Sequence, residues 1–245
     1  MTNAIYAIGD IHGQLSQLER VLGLIEKDGG RDAQIVFLGD YTDRGPKSRD
    51  VLDVLIEGRD AQRNWTFLKG NHDRMFEWFL ESPLRHDPFL MVELYWLHPR
   101  LGGDTTLVSY GVDASGRRRE KDVHRDSLEA IPKKHIAFLN ELKLSHAVED
   151  LMFVHAGIRP DVALDAQIEE DLLWIRQEFH DHLGSHPKLI IHGHTPVDAA
   201  THYGNRVNLD TGAGYGKPLT AAVFEGGQCW QLTDRGRVLL DQEAQ

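Results

Sequence analysis

The chain has 245 residues, of which 41% are hydrophobic and 27% are charged, and its formal net charge at pH 7 is −11. These values are typical of a soluble globular protein, and the acidic balance argues against a protein that holds nucleic acid by neutralising its phosphates. A single cysteine, Cys229, excludes an internal disulfide framework, and no apolar run approaches the roughly 20 residues of a membrane-spanning helix.

The organisation of the chain predicts one domain over residues 1–245, because no linker-like stretch or break in composition divides it. The first glycine-containing motif begins at Gly9, which leaves no room for a cleavable signal peptide. We therefore expect a cytoplasmic protein with no membrane partner and no stable nucleic-acid partner.

Three units of a strand followed by a loop occupy the first 73 residues. The apolar runs at 4–8, 34–38 and 65–68 predict short buried strands. Helices are predicted over residues 15–26 and 51–56. Each strand ends in a polar, glycine-containing loop: Gly9-Asp10-Ile11-His12-Gly13, Gly39-Asp40-Tyr41-Thr42-Asp43-Arg44-Gly45 and Gly70-Asn71-His72-Asp73. Ligands of open α/β folds bind at the carboxyl ends of strands, so the three loops are candidates for one site.

Residues 74–142 are predicted to form a mainly helical insertion. Helices are expected at 75–80, 89–97 and 133–142, with interruptions at 102–106 and 111–119. The segment 102–111 is a candidate for the lining of a substrate groove. The basic run Arg117-Arg118-Arg119 is typical of a solvated loop tip, with contact to a phosphorylated substrate as the alternative.

Two more strands end in loops that contain histidine. The runs 151–154 and 188–191 lead into His155-Ala156-Gly157 and His192-Gly193-His194-Thr195. Between them, an acidic segment precedes a short helix with Trp174 and Arg176. Alternation with period two then continues through 206–209, 219–224, 229–232 and 238–240, and it predicts a second, mainly antiparallel sheet.

The five strand ends offer oxygen and nitrogen donors without a thiolate: Asp10, His12, Asp40, Asp43, Asn71, His72, His155 and His194. Such a mixed set suits Mn, Fe or Zn better than a zinc–thiolate site or a calcium cage. One ion cannot use so many ligands, whereas two ions about 3.5–4 Å apart that share a carboxylate can. A pair of ions would clamp the oxygens of an in-line displacement and supply hydroxide near neutral pH.

Hydrolysis of a phosphate ester also needs cations for the phosphoryl oxygens and an acid for the departing oxygen. Arg44 and Arg176 can be the cations, and His72 can be the acid. An imidazolium beside metal ions would lose its proton unless a carboxylate supports it. Asp43 is the candidate for that support.

In their order along the chain, the five motifs resemble the signature of the metallophosphoesterases, and most closely the phosphoprotein phosphatase branch in its small bacterial and phage form. The resemblance covers residues 9–195. It implies an α/β fold of the four-layer α+β kind, with a calcineurin-like central β-sandwich flanked by helices. It also implies two divalent metal ions, with Mn expected first and Fe or Zn as alternatives.

The same resemblance implies a role for each residue of the motifs. Ligands of the first metal would be Asp10, His12 and Asp40. Ligands of the second would be Asp40, Asn71, His155 and His194, so that Asp40 bridges the two ions. The general acid would be His72, paired with Asp43. The phosphoryl oxygens would be bound by Arg44 and Arg176, and Tyr215 resembles a tyrosine near the site of eukaryotic relatives.

Asp43 also bears on the substrate. Symmetrical diadenosine tetraphosphate hydrolases resemble this chain but typically carry alanine at this position, so the aspartate favours a phosphomonoesterase. We therefore expect a protein serine/threonine phosphatase, with tyrosine phosphate as a further substrate, in which metal-bound hydroxide attacks a phosphorylated protein or peptide directly. The first alternative is an enzyme of the same fold acting on diadenosine tetraphosphate, nucleoside polyphosphates or capped RNA ends. The second is a non-catalytic metal-bound module that recognises phosphopeptides.

Overall fold

Two β-sheets packed face to face form the centre of the fold, in a computed structural model that describes residues 4–242. In chain order the strands are β1 (Ile5–Ile8), β2 (Gln34–Phe37), β3 (Trp65–Phe67), β4 (Ser145–Val148), β5 (Leu151–Val154), β6 (Leu189–His192), β7 (Thr201–His202), β8 (Arg206–Asn208), β9 (Ala221–Glu225), β10 (Gln228–Thr233) and β11 (Gly236–Leu239). The helices are α1 (Leu15–Gly29), α2 (Ser48–Asp60), α3 (Asn71–Phe79), α4 (Gly103–Ser109), α5 (Glu120–Ala130), α6 (Lys133–Asn140), α7 (Glu169–Trp174) and α8 (Gln177–His180).

Each sheet contains a parallel group of strands extended by antiparallel neighbours. The first sheet has the order β11-β10-β9-β1-β2-β3, and β1, β2 and β3 run parallel. The second has the order β4-β5-β6-β8-β7, and β5, β6 and β8 run parallel. The carboxyl ends of both parallel groups carry the loops that the sequence singled out.

Alternation along the strands divides the core into layers, because successive side chains of a strand point to opposite faces. Ile5 and Ala7 of β1 lie between the two sheets, together with Phe153 from β5. Tyr6 and Ile8 point the other way and pack against α1 and α2. A third apolar cluster joins the outer face of the second sheet to α7 and α8. The layers are therefore helix, sheet, sheet and helix, and the expected α/β sandwich is confirmed.

The pairing of the last strands differs from the prediction. Residues 206–240 were expected to form a sheet of their own, but β8 pairs with β6 in the second sheet while β9, β10 and β11 extend the first sheet beyond β1. Both faces of β9 are covered, since Ala222 and Phe224 enter the inter-sheet layer and Ala221 and Val223 enter the helical side. Period two identified these strands correctly but did not identify their neighbours.

The connection between β3 and β4 is helical, as expected, and α3 and α6 overlap the helices predicted at 75–80 and 133–142. Residues 89–97 form turns, so the helix predicted there is wrong. The interruption predicted at 102–106 instead contains the start of α4, and α5 was not predicted. Gly102 permits the start of α4 because its φ is 85° and because a Cβ there would lie 2.3 Å from the backbone nitrogen of Arg44.

Two expectations about composition can be compared with the described residues. Cys229 is a free cysteine, buried in the layer between the sheets. Within residues 4–242, no helix has the length and apolar character that would allow it to cross a bilayer.

Candidate metal centre

The five loops meet at one edge of the sandwich, where hydrogen bonds donated by backbone amides join them directly. The amide of His12 donates to the carbonyl of Asp40 at 2.8 Å. The amide of His194 donates to the Asp10 carboxylate at 3.1 Å, which connects the two sheets. Asp73 accepts hydrogen bonds from the amides of Asp40 and Gly70 at 2.7 and 2.9 Å. The loops are therefore held together by the chain itself.

Several residues of these loops have left-handed backbone conformations. Nine non-glycine residues in the described part of the chain have positive φ, and five of them are predicted site residues: His12, Asp40, Asp43, Arg44 and His194. Such conformations cost of order 1–3 kcal/mol each and cluster at functional sites, where the surrounding structure enforces them. The concentration here independently marks these loops as a site.

Two glycines provide the space that the carboxylates occupy. A Cβ on Gly70 would lie 2.0 Å from Asp40 Oδ1, and a Cβ on Gly193 would lie 2.0 Å from Asp10 Oδ1. Any side chain at either position would displace a carboxylate. The glycine before Asn71 and the glycine before His194 are thus required by close packing.

The ring of His155 presents a lone pair to two other acceptors. Its Nδ1 lies 2.8 Å from the carbonyl oxygen of Leu38, so the Nδ1 proton is donated there. Its Nε2 then faces Asn71 Oδ1 at 3.0 Å and Asp40 Oδ1 at 3.4 Å. Three acceptor atoms pointing at one another repel unless a cation lies between them, and a histidine fixed by a backbone carbonyl is the usual arrangement of a metal ligand.

His12 repeats this arrangement on the other side of Asp40. Its Nδ1 is 2.7 Å from the carbonyl oxygen of Thr42, and its Nε2 is 3.5 Å from Asp40 Oδ2. Two compact groups with potential ligand atoms within 4.8 Å of one another result, namely His12, Asp40 and His72, and Asp10, Asp40 and His155. Asp40 belongs to both groups, with one oxygen turned to each side.

His194 and Asn71 adjoin the second group. His194 Nδ1 is 2.8 Å from Asn71 Oδ1, and His194 Nε2 is buried without a hydrogen-bond partner. An unpartnered buried ring nitrogen is costly, and coordination of a metal ion would satisfy it. The residues therefore fit a pair of divalent ions.

The charges of the site indicate the same fit. Burial raises the pKa of Asp40 to about 7, and burial followed by repulsion from Asp210 and Asp40 raises the pKa of Asp10 well above its usual range. Burial lowers the pKa of His155 to about 4 and also lowers the pKa of His12. Imidazoles kept neutral are ready ligands, and crowded carboxylates are stabilised by a nearby cation.

The carboxylate of Asp43 is buried and supports His72. His72 Nδ1 lies 2.6 Å from Asp43 Oδ2. Trp96 Nε1 donates to the same oxygen at 2.8 Å, and Thr106 Oγ1 donates to Oδ1 at 2.7 Å. Burial raises the pKa of Asp43 well above its usual range, although the hydrogen bonds from Thr106 and Trp96 oppose this rise. Because both oxygens already accept hydrogen bonds, we place the shared proton on His72 Nδ1.

The two arginines lie beside this group. Arg44 Nη2 is 3.0 Å from His72 Nε2, its Nη1 contacts His12 Nε2, and its guanidinium lies 4.7 Å from the centre of the Tyr215 ring. Arg176 is exposed and donates from Nη1 to Thr195 Oγ1 at 2.9 Å. Both cations are therefore available at the opening of the site.

The structure brings all the predicted residues to this edge, while their individual roles remain predictions. The two compact groups in the structure differ from the ligand sets that the family resemblance implies. Asp10 lies with His155, and His72, which was expected to be the acid, lies with His12. The sequence did not indicate Trp96, Asp210 or Ser48, whose Oγ accepts a hydrogen bond from the Asp43 amide at 3.2 Å, and it included Thr106 only as part of a possible groove lining. Asp210 is a buried carboxylate just after β8, so the strand-then-loop pattern could have found it.

Thr106 offers a test of how Asp43 is held. Thr106 is buried behind Asp43. Its hydroxyl accepts a hydrogen bond from the Asp43 amide at 2.8 Å and donates one to the Asp43 carboxylate. Thr106 therefore does not line the substrate groove, as was expected of the segment 102–111. Thr106→Val is expected to destabilise the fold by about 1–3 kcal/mol, because a buried charged acceptor loses its donor.

Chemical denaturation measures the loss, and Thr106→Ser, which keeps the hydroxyl, should restore most of it. Equal losses in the two variants would mean that repacking around position 106, and not the hydrogen bond, determines the effect.

Comparison with known proteins places this geometry in a family. The family model described as calcineurin-like phosphoesterase matches residues 4–219. The bis(5'-nucleosyl)-tetraphosphatase PrpE [asymmetrical] of Bacillus thuringiensis (strain Al Hakam) is 26% identical to this chain, and the alignment covers 89% of each protein. The corresponding protein of Anoxybacillus flavithermus is 27% identical with the same coverage.

Solved structures share the fold. A protein provisionally described as a diadenosine tetraphosphatase superposes with a TM-score of 0.65 at 21% identity, covering 94% of this chain and 93% of that one. The cold-active protein-tyrosine phosphatase of a psychrophilic Shewanella species superposes with a TM-score of 0.60 at 18% identity, covering 98% of this chain and 81% of that one. At these identities the two structures establish the fold alone.

Proposed function

The chain belongs to the calcineurin-like phosphoesterase family, and we propose that it is a metal-dependent hydrolase of dinucleoside polyphosphates. The family uses a dinuclear divalent metal centre. The observation that carries the proposal is the position of Asp40, whose two oxygens face two groups of buried ligands.

The protein's own residues supply distinct parts of the chemistry. Two divalent ions, when bound, polarise phosphoryl oxygens and make a water nucleophilic near neutral pH. Asp10, His12, Asp40, Asn71, His155 and His194 would hold them. Arg44 and Arg176 would bind the remaining phosphoryl oxygens. Arg44 now lies 3.0 Å from His72 Nε2, and its turn to a phosphoryl group would release that nitrogen to face the departing oxygen. Asp43 would hold the ring of His72 in that orientation.

The substrate class rests on the relatives. Proteins named as asymmetrical bis(5'-nucleosyl)-tetraphosphatases match 89% of this chain. Asymmetric cleavage divides a tetraphosphate into a nucleoside triphosphate and a nucleoside monophosphate. The presence of Asp43 argued against a symmetrical hydrolase and is compatible with an asymmetrical one. The order of preference from the sequence, which put a protein phosphatase first, is therefore reversed.

Hydrolysis of protein phosphomonoesters is the second candidate, and the Asp43–His72 pair favours it. A serine or threonine alkoxide is a poor leaving group that needs a proton, whereas a nucleotide phosphate departs as a stable anion. Trp96 and Thr106 each donate a hydrogen bond to Asp43. The Asp43–His72 pair is therefore well supported, although cleavage of a phosphoanhydride depends less on a proton donor. Serine, threonine and tyrosine phosphates in peptides are all candidates.

A substrate comparison with Mn²⁺ tests the proposal. We expect kcat/KM to be higher for diadenosine tetraphosphate than for phosphoserine and phosphotyrosine peptides, and we expect chromatography to resolve ATP and AMP as products. Two molecules of ADP would contradict the asymmetric cut, and a preference for phosphopeptides would support the second candidate. If neither these substrates nor an aryl phosphate turns over with metal bound, the catalytic proposal fails and a non-catalytic module that recognises phosphopeptides is favoured.

A further inference from the structure

An exposed aromatic ring lies beside the proposed metal centre. Phe89 stacks on Trp174 with ring centres 6.1 Å apart and planes inclined by 18°. The edge of Trp174 in turn meets His194, with ring centres 6.0 Å apart. Phe89 is 50% exposed. Its ring is therefore within about 12 Å of a predicted metal ligand, since the two separations bound the distance.

A buried ion pair holds the two rings in place. Asp87 is paired with Arg74 at 2.8 Å, and both side chains are almost fully buried. The Phe89 amide donates to Asp87 Oδ1 at 3.0 Å, and Trp174 Nε1 donates to Asp87 Oδ2 at 3.3 Å. One carboxylate thus fixes both aromatic residues, although they come from segments 85 residues apart in the chain.

The arrangement is not explained by packing alone. A core would bury Phe89, whereas here half of its surface faces solvent next to a site with two arginines. Asp87 accepts hydrogen bonds at both oxygens from within the cluster. Trp174 stacks on the Phe89 ring and the Arg74 guanidinium lies 6.0 Å from its centre, so what the cluster offers a ligand is the exposed half of an aromatic residue and not a pattern of donors and acceptors. Planar aromatic groups pack against exposed aromatic rings.

We propose that Phe89 and Trp174 form a stacking platform for a nucleobase of the substrate, an inference that rests on the proposed function. A base on Phe89 would leave the ribose and phosphates to span the distance to the centre beside His194. Stacking on aromatic rings tolerates all bases, because each has a π face. The platform therefore binds the nucleoside end of a dinucleoside polyphosphate with little preference between adenine and guanine.

Phe89→Ala tests the platform through a ratio of substrates. The metal-loaded enzyme is assayed on diadenosine tetraphosphate and on 4-nitrophenyl phosphate, which has no base. We expect the ratio of kcat/KM for the dinucleotide to kcat/KM for the aryl ester to fall roughly 5- to 150-fold, the range that loss of one base stack produces. The fall should lie mainly in KM, since stacking stabilises ground and transition states alike.

Matched variants separate ring stacking from other effects. Phe89→Trp should restore the ratio, whereas Phe89→Leu, which keeps an apolar side chain without a ring, should not. Val238→Ala changes an apolar residue of similar exposure, 51%, on β11 and should leave the ratio unaltered. Calorimetric titration with AMP should give a weaker Kd for Phe89→Leu than for wild type, which provides a measurement independent of turnover.

The outcomes distinguish the two proposals. If wild type cleaves diadenosine tetraphosphate and Phe89→Leu keeps both the ratio and the AMP affinity, the platform is wrong while the proposed function stands. If wild type cleaves only the aryl ester or phosphopeptides, the proposed function and the platform both fail. If the variants lose activity on phosphopeptides and not on the dinucleotide, the rings contact peptide and the inference is overturned.

Discussion

Replacement of Asp40 by asparagine is expected to remove both metal ions and with them the activity. Each Asp40 oxygen faces a separate group of ligands, and asparagine keeps only one neutral acceptor in their place. The side chain retains its size, and its carbonyl oxygen can still accept the His72 amide, which lies 2.9 Å from Asp40 Oδ1. The fold should therefore persist. Elemental analysis after gel filtration in Mn²⁺ measures the metal content directly.

The same variant should lose the stabilisation that the metal gives the wild type. A ligand present at 100 times its Kd stabilises the folded state by about 2.7 kcal/mol. For a chain of this size that corresponds to a rise in melting temperature of about 5–11 °C. We expect this shift between chelated and Mn²⁺-loaded wild type and only a small one in Asp40→Asn.

The chelated proteins should also differ in their dependence on pH. Burial raises the pKa of Asp40 from its ordinary 3.8 to about 7 in the folded protein. The folded state therefore holds a proton that the unfolded state releases, and stability falls as pH rises from about 4 to about 7. Asp40→Asn should show a shallower decline over this window.

An exposed aspartate supplies the control for both measurements. Asp32→Asn removes one charge from the surface and should keep the metal content, the Mn²⁺-induced shift and the pH dependence. Retention of two ions per chain in Asp40→Asn would rule out its role as the shared ligand.

Replacement of His72 by asparagine is expected to reduce turnover by about 10²–10⁴ on an alkyl phosphate such as a phosphoserine peptide, the range for a lost general acid. The loss should be much smaller on 4-nitrophenyl phosphate and on diadenosine tetraphosphate, whose departing groups need little protonation. His72 is suited to this role because Asp43 holds its Nδ1 while Nε2 lies 3.0 Å from Arg44 Nη2, a proposed phosphate-binding group.

Metal content decides between this role and coordination by His72. Its ring nitrogens also fit the group formed with His12 and Asp40. A proton donor can be removed without loss of ions, so we expect His72→Asn to retain both. His146→Asn, at a half-buried histidine of β4, is the control for a general loss of imidazole. Equal losses on all substrates together with a missing ion would make His72 a ligand.

The sequence predicted which loops meet because their residues follow a local rule. A short apolar run followed by a glycine-containing polar loop marks the end of a buried strand, and five such ends carried the predicted residues. Two sets of parallel strands bring these ends to one edge. The faces of the strands follow an equally local rule, since successive side chains of a strand alternate and Tyr6 and Ala7 lie in opposite layers.

Contacts between distant segments were beyond reach of such rules. Trp96 and Thr106 bind Asp43 from 53 and 63 residues away, and nothing in their local sequence predicts a carboxylate partner. The helix predicted at 89–97 failed because its apolar residues are not one helix face: Phe89 stacks on Trp174, Trp96 is buried against α3, and Val92 is 93% exposed. Period two likewise could not choose between β1 and a new sheet as the partner of β9.

The left-handed conformations of the site loops also limit which substitutions selection can accept. Aspartate, asparagine and histidine adopt positive φ more readily than other non-glycine residues, and they are also residues with metal-binding side chains. At Asp40 and His12, with φ of 54° and 47°, the backbone and the metal therefore demand the same small set of amino acids. Glutamate at position 40 would keep the charge but lose the favoured conformation, so in a saturation-mutagenesis library it should score no better than alanine.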